Sequence, residues 1–270
     1  MSGFSVNTNV GALVALQNLN TTRKSLEQTQ LNITTGLKVN GPQDDASTFA
    51  IAQNLRGTIA GTQAVKTALA NGESTVNVAI NAGQSIADLL TQAKAKIVQA
   101  NQGGLDATSK SSLQNDYNAL RDQIDTIVAT ASFNGVNLIS SGATALSVLS
   151  TVDGSTISVS AQNLSSTGLA INSLDLITGA SAALDAINTA ITSTSDKLAN
   201  LGSGAKRVGI QNDFTSKLID SLKEGVGNLV DADLAEESAT LQSLQIKQQL
   251  GVQALSIANQ GPQSILALFR

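Results

Sequence analysis

The sequence predicts a mainly α protein: a long antiparallel helical bundle or coiled coil of N- and C-terminal segments, with a small β-hairpin excursion in the middle. Three observations predict it. Apolar residues recur at alternating spacings of three and four at both ends, the seam of a coiled coil. Those ends are almost free of charge: the first Asp, Glu, Lys or Arg is Arg23, and none lies between Lys247 and Arg270. Between them, one segment loses the helical spacing and gains Ser, Thr and an Asp-Gly pair.

The first seam is Leu16, Leu19, Arg23, Leu26, Gln30, Ile33 and Leu37, and Gly36 with Asn40-Gly41-Pro42 ends its helix. Asp44 and Asp45 follow, where a helix N-terminus favours negative charge. Phe49, Ile51, Leu55, Ile59, Val65 and Leu69 continue helical spacing, and Val76 to Val98 extend it to about Ala100. Gln102-Gly103-Gly104 reads as a turn, and Leu113, Tyr117, Leu120, Ile124, Ile127 and Ala131 as a third helix. Phe133-Asn134-Gly135 marks the change of character. Leu146 and Val148 on one side of Asp153-Gly154, with Ile157 and Val159 on the other, predict a hairpin. Residues 134–175 therefore read as short strands and loops. Helical spacing resumes at Leu184 and runs past Gly202 and Gly204 to Leu222.

The last helix is placed after Asp231-Ala232-Asp233, the same N-terminal pattern of carboxylates. Its seam is Leu234, Leu241, Leu244, Gln248, Gly251, Leu255, Ala258, Ile265 and Phe269, with a kink expected at Pro262. The chain leaves and returns, so its ends lie side by side. Two domains follow: residues 1–42 plus 229–270 as a terminal coiled coil, and residues 43–228 as a helical body carrying the hairpin region. Neither end buries its own apolar stripe, so both termini are expected to be largely disordered in the monomer and to fold on assembly. From the seams alone, an intramolecular coiled coil is as good a reading as an assembly surface.

Composition removes several classes of function. The 270 residues carry a net charge of −4, 41% hydrophobic residues and 2% aromatic ones. A pI near 4.8 gives no electrostatic footprint for nucleic acid. Without Cys or His there are no thiol nucleophiles, imidazole bases, zinc sites built on either, or disulfides. The carboxylate pairs read as helix caps, since adjacent helical carboxylates do not converge on one point. No enzyme activity, cofactor or metal is expected. No stretch approaches a membrane span of about 20 apolar residues, and the N-terminus lacks the basic region and compact apolar run of a cleaved secretory signal.

The motifs resemble those of bacterial flagellin, particularly the short alphaproteobacterial forms. Leu31-Asn32-Ile33-Thr34-Thr35-Gly36-Leu37-Lys38-Val39-Asn40 is followed by Asp44-Asp45-Ala46 and Phe49-Ala50-Ile51-Ala52, similar to the family's N-terminal signature. Gly61-Thr62-Gln63-Ala64-Val65-Lys66, Ala70-Asn71-Gly72-Glu73-Ser74 and Ser132-Phe133-Asn134-Gly135-Val136 continue it. Leu229-Val230-Asp231-Ala232-Asp233-Leu234-Ala235-Glu236-Glu237-Ser238 and Ala254–Arg270 resemble its C-terminal helix. Together they cover about the first 140 and last 50 residues.

The resemblance implies a structural subunit that self-assembles into a helical flagellar filament for swimming, the terminal helices forming an inner tube and the next helices a shell. It implies an extracellular location, reached through the flagellar (type III) export apparatus with a chaperone and without a cleaved signal peptide. Further partners would be copies of itself, other flagellins, and hook-junction and cap proteins, with no nucleic acid and no membrane insertion. The alternative is a hook–filament junction protein, against which the Ala258–Gln263 tail and Leu268-Phe269-Arg270 speak. A zinc peptidase, carried by some flagellins, needs His and a large insertion. An adhesin role has no aromatic cluster to support it. Assembly is assigned to Leu16, Leu19, Leu26 and Ile33 against Leu234, Leu241, Leu244, Leu255, Ile265 and Phe269.

Three departures from the family pattern matter. Only about residues 134–179 stand where large flagellins insert outer domains. Gln92-Ala93-Lys94-Ala95-Lys96 lacks the acidic residue and Leu of the segment that the vertebrate receptor reads, so strong recognition is not expected. Lys66 stands where the family usually has Arg, which keeps the charge but loses bidentate pairing. The Ser and Thr between Ser140 and Ser195 read as solvated loop, with O-linked glycosylation as the functional alternative.

Overall fold

The computed structural model describes residues 8–268, with side chains as far as residue 260. The order is α1 Val10–Thr35, α2 Ala46–Ala100, α3 Ala107–Thr130, β1 Ser132–Phe133, β2 Val136–Asn137, β3 Leu146–Leu149, β4 Thr156–Val159, α4 Ala180–Val230 and α5 Leu234–Leu268. The contacts divide it into two compact units, residues 1–57 with 221–270 and residues 58–220. These limits fall inside α2 and α4, not at the helix breaks on which the sequence reading rests. Ala52, Val226 and Val230 are buried residues of the first unit on those two helices.

The helix ends follow from local chemistry. Asn9 caps α1 by accepting from the Ala12 N–H at 3.0 Å. Gly36 closes α1 in the left-handed region at φ 73°, its N–H donating to Asn32 C=O. Asp45 caps α2, accepting from the N–H groups of Ser47 and Thr48 and from the Thr48 hydroxyl at 2.6 Å. That hydroxyl, with the backbone donors, holds its carboxyl below the usual range. Asp44 does not cap. It accepts from the Asn40 and Gly41 N–H groups and from the Gln28 side chain, and so clamps the α1–α2 turn. Asp106 caps α3 through the Ser109 N–H. Asp233 caps α5 through Ala235 and Glu236, whereas Asp231 bridges Leu37 through its backbone. Beside that bridge, Lys38 N–H donates to Val230 C=O and Ala232 N–H to Gly36 C=O, both within 3.0 Å. Only one Asp of each pair caps, because a cap has one position. The helix α5 continues past Pro262 to Leu268.

Residues 58–220 hold the main core. Leu69, Ile86, Leu90 and Ile97 of α2, Tyr117 and Ile124 of α3 and Ile187 of α4 are fully buried in one cluster with Leu138, Ile139, Leu164, Ile171 and Leu176. The segment between β4 and α4 is tied to the helices by polar contacts. Asp125 accepts from the N–H and hydroxyl of Ser166 at 2.8 and 2.7 Å. Lys197 Nζ donates to Asn163 C=O at 2.6 Å and Gly168 C=O at 3.3 Å, and burial pushes its ammonium pKa down. The Tyr117 hydroxyl donates to Ile171 C=O, and burial raises its pKa to about 12.

Among the described residues there are two antiparallel hairpins where one was expected. β1 and β2 pair Phe133 with Val136 across Asn134 and Gly135, both at positive φ of 49° and 79°, a type I′ turn. The Asn-Gly pair that reads in sequence as the end of a helix is thus itself a hairpin turn. The expected hairpin is β3–β4, pairing Leu146 with Val159 through Leu149 with Thr156. Asp153-Gly154 lies within its loop rather than forming a two-residue turn. Among the described residues there are two ion pairs, Lys96–Asp116 at 2.8 Å and Arg121–Asp122 at 2.7 Å.

Candidate assembly surface

The terminal helices α1 and α5 pack against each other, antiparallel. Three contacts fix their register: Asn9 Nδ2 donates to Ala258 C=O at 2.6 Å, Leu19 lies on Gly251, and Asn32 Nδ2 donates to Glu237 Oε1 at 2.9 Å. A Cβ built on Gly251 would stand 3.3 Å from Leu19 Cδ1. The glycine therefore lets the leucine approach the α5 backbone. On this register Ala15 is level with Leu255, Thr22 with Gln248 and Leu26 with Leu244. Among the described residues, α1 and α5 are helical and lie paired in a single chain.

The buried stripe of α1 is narrower and more polar than its leucines imply. Leu19, Thr29 and Asn32 are buried, while Ala12, Ala15, Thr22, Leu26 and Ile33 are half-buried. Leu16 lies off this stripe, 43% exposed, as do Arg23 and Gln30. On α5, Leu241, Leu244, Gln248, Gly251, Leu255 and Ala258 are half-buried. Leu234 is 50% exposed. Ile265 lies in α5 and Phe269 beyond it, both outside the described side chains. Among the described residues of α5, none is buried.

What stays uncovered is apolar. Val10, Leu13, Val14 and Leu16 are exposed on α1, and Ile246, Leu250, Val252 and Ile257 on α5. A surface this apolar marks a site of association. On the antiparallel register Val10, Leu13, Val14, Leu16, Leu250, Val252 and Ile257 lie toward the Val10 end of α1, whereas Ile246 is level with Lys24, and Leu31 and Leu234 are exposed toward the other end. Charge begins at mid-length, with Arg23 and Lys24 on α1 beside Lys247 on α5, and continues toward the other end with Glu27, Glu236 and Glu237. The sequence reading missed Ile246, Leu250, Val252 and Ile257, which lie outside the seam. A count of apolar residues all round α5 would have found them, since such a helix is made to be buried on several sides.

No groups of three or more potential metal ligands occur among the described residues. No helix there is long and apolar enough to cross a membrane.

The family profile of the bacterial flagellin N-terminal helical region matches residues 6–144, and that of the C-terminal helical region matches residues 184–269. The β3–β4 hairpin lies between the two matches. Flagellin FljM of Caulobacter vibrioides is 47% identical over 269 residues, covering 98% of each chain. A Brucella melitensis flagellin is 36% identical over 281 residues, covering 98% of this chain and 99% of its own. A structure described as a flagellar hook-associated protein from Vibrio parahaemolyticus has a TM-score of 0.59 at 16% identity, covering 70% of this chain and all of that one. That likeness speaks to the fold alone. Helical regions at both ends, matched in order and over nearly the full length of these relatives, make this chain a member of the bacterial flagellin family.

Proposed function

We propose that the chain is a structural subunit of the flagellar filament, assembled through its two terminal helices. The observation that carries this reading is the state of α5: it has no buried side chain among those described, yet exposes Ile246, Leu250, Val252 and Ile257. At about 25 cal/mol per Å², covering such faces by neighbouring copies is a strong drive to polymerise. Leu16 and Leu234, exposed in the single chain, belong to the surface that neighbours cover. Leu19, Leu26, Ile33, Leu241, Leu244 and Leu255 hold the α1–α5 pair together.

In this reading the pair forms the inner tube of the filament and the body within residues 43–228 its shell. The filament stands outside the cell, its subunits passing unfolded through the flagellar export apparatus with a chaperone and without a cleaved signal, to add beneath a cap protein. The chain is structural rather than catalytic, as its family membership supports. The junction-protein alternative is not favoured, because relatives matching at 47% and 36% identity are flagellins.

Sedimentation with negative-stain microscopy tests this, using the full chain, the Leu255→Asp variant and a fragment of residues 43–228. Long uniform filaments from the full chain alone are expected. Filaments of normal yield from Leu255→Asp would refute the role of the pair, and short rings in place of filaments would restore the junction reading.

A further inference from the structure

We propose that the β3–β4 hairpin is a strap seated on glycines of α2 and α4, with Gly72 and Gly204 as the residues that set its seat. The Lys96–Asp116 pair sets α3 antiparallel to α2. Counting from it at equal rise, Thr130 at the end of α3 is level with Ala82. Further down α2 the third helix is absent, and the hairpin takes its place over the core.

Three valines of the hairpin each meet a glycine there. A Cβ added to Gly72 would lie 2.5 and 2.9 Å from the two methyls of Val148. One added to Gly204 on α4 would lie 2.6 Å from Val159 Cγ1, and one on Gly61 would lie 3.0 Å from Val152 Cγ1. Val148 and Val159 are 4% and 2% exposed, whereas Val152 is 52% exposed. The first two sockets are therefore tight and the third is loose. A β-branched side chain is stiff at χ1 and cannot swing clear of an added methyl. The strap itself would have to lift.

Polar contacts close the seat. Gln211 Nε2, about two turns beyond Gly204 on α4, donates to Ser150 C=O at 3.0 Å. Ser150 N–H in turn donates to Ser155 C=O at 2.8 Å and closes the loop. The strap thus holds α2 at Gly72 and Gly61 and α4 at Gly204 and Gln211. Beside β3 is a cleft of about 350 Å³ lined by Ala68, Asn71, Thr75, Phe133 and Val136.

Glycines elsewhere on the helices supply the control. Nothing lies within 4 Å of a Cβ added to Gly202, two residues from Gly204 on the same helix. Replacing a helical glycine by alanine in open space stabilises. Replacing one under a packed valine overpacks.

The test uses the full-length monomer and reads thermal unfolding and proteolysis of the 150–155 loop. Gly202→Ala is expected to raise Tm. Gly72→Ala and Gly204→Ala are expected to lower it and to speed loop cleavage about tenfold, as overpacking lifts the hairpin from its seat. Adding Val148→Ala to Gly72→Ala should restore slow cleavage, because the truncated side chain returns the space. The double variant also decides the case if Gly72→Ala alone fails to fold: its folding supports the strap, and its failure overturns it. Gly72→Ala with Tm and cleavage matching Gly202→Ala overturns the proposal, as does a double variant no slower to cleave than Gly72→Ala. All readouts are on the monomer, so they stand apart from the filament reading.

Discussion

The α1–α5 pair and the helices of residues 58–220 have similar apolar content and opposite economies of burial. In residues 58–220 large aliphatic side chains on α2, α3 and α4 close around one cluster, with Ile86, Leu90, Ile97, Ile124 and Ile187 at 0% exposure. In the pair, Leu19 is the one buried large aliphatic among the described residues of either helix, and polar Thr29 and Asn32 complete the buried set. Three helices, the β3–β4 hairpin and the segment after it enclose that core. Two helices touch along one line and leave the rest of each cylinder outside. Apolar composition therefore does not fix how much a helix buries; the number of its neighbours does.

The largest difference should appear in hydrogen exchange on the monomer. Amides of α5 between residues 234 and 260 are expected to exchange about 1000-fold faster than those between Val76 and Ile97, the ratio that about 4 kcal/mol of local stability difference gives. Equal protection would show the pair to be as stable as the core of residues 58–220. Truncations sharpen the contrast next. Ile86→Ala should cost about 3 kcal/mol by denaturant unfolding of the monomer, as fully buried aliphatics do. Leu244→Ala, half-buried, should cost about 1 kcal/mol.

A smaller and more local probe is Tyr117, the chain's single tyrosine in the absence of tryptophan. Its pKa is raised to about 12 from 10.0 by burial. Because the folded value lies above the unfolded one, its contribution to stability is complete below about pH 10 and is lost as pH rises toward 12. Absorbance titration should give a midpoint near 12 in the full chain, and a midpoint near 10 in folded protein would place Tyr117 in water. Smallest is the α5 cap. Asp233→Ala should destabilise by about 1 kcal/mol, visible as faster exchange at the start of α5 with no change in residues 76–97.

Most of the helical fold was legible in the sequence, because three-four spacing and the Gly and Pro breaks act locally. Gly36 and Gln102-Gly103-Gly104 end helices where the pattern says they should. The face that α1 turns to α5 was not legible. Leu16 and Leu19 both fit a heptad, and the choice between neighbouring stripes depends on the partner's Gly251, far away in sequence. The first hairpin was missed because its strands are two residues long, too short for alternation to show. Its Asn-Gly turn was the available signal. The exposed set on α5 was hidden by looking for one seam where the helix has apolar residues all round.

One further consequence follows from the two ion pairs, Lys96–Asp116 and Arg121–Asp122. Both are at the surface, with the acidic partners 54% and 67% exposed, and pairs of that kind contribute about 0–1 kcal/mol each. Screening them therefore changes little inside the subunit. The fold should hold alike in dilute buffer and in brine. A response of polymerisation between dilute and moderate ionic strength then reports charges meeting between copies, whereas high sulfate acts on the apolar faces, so a salt series separates lattice electrostatics from folding.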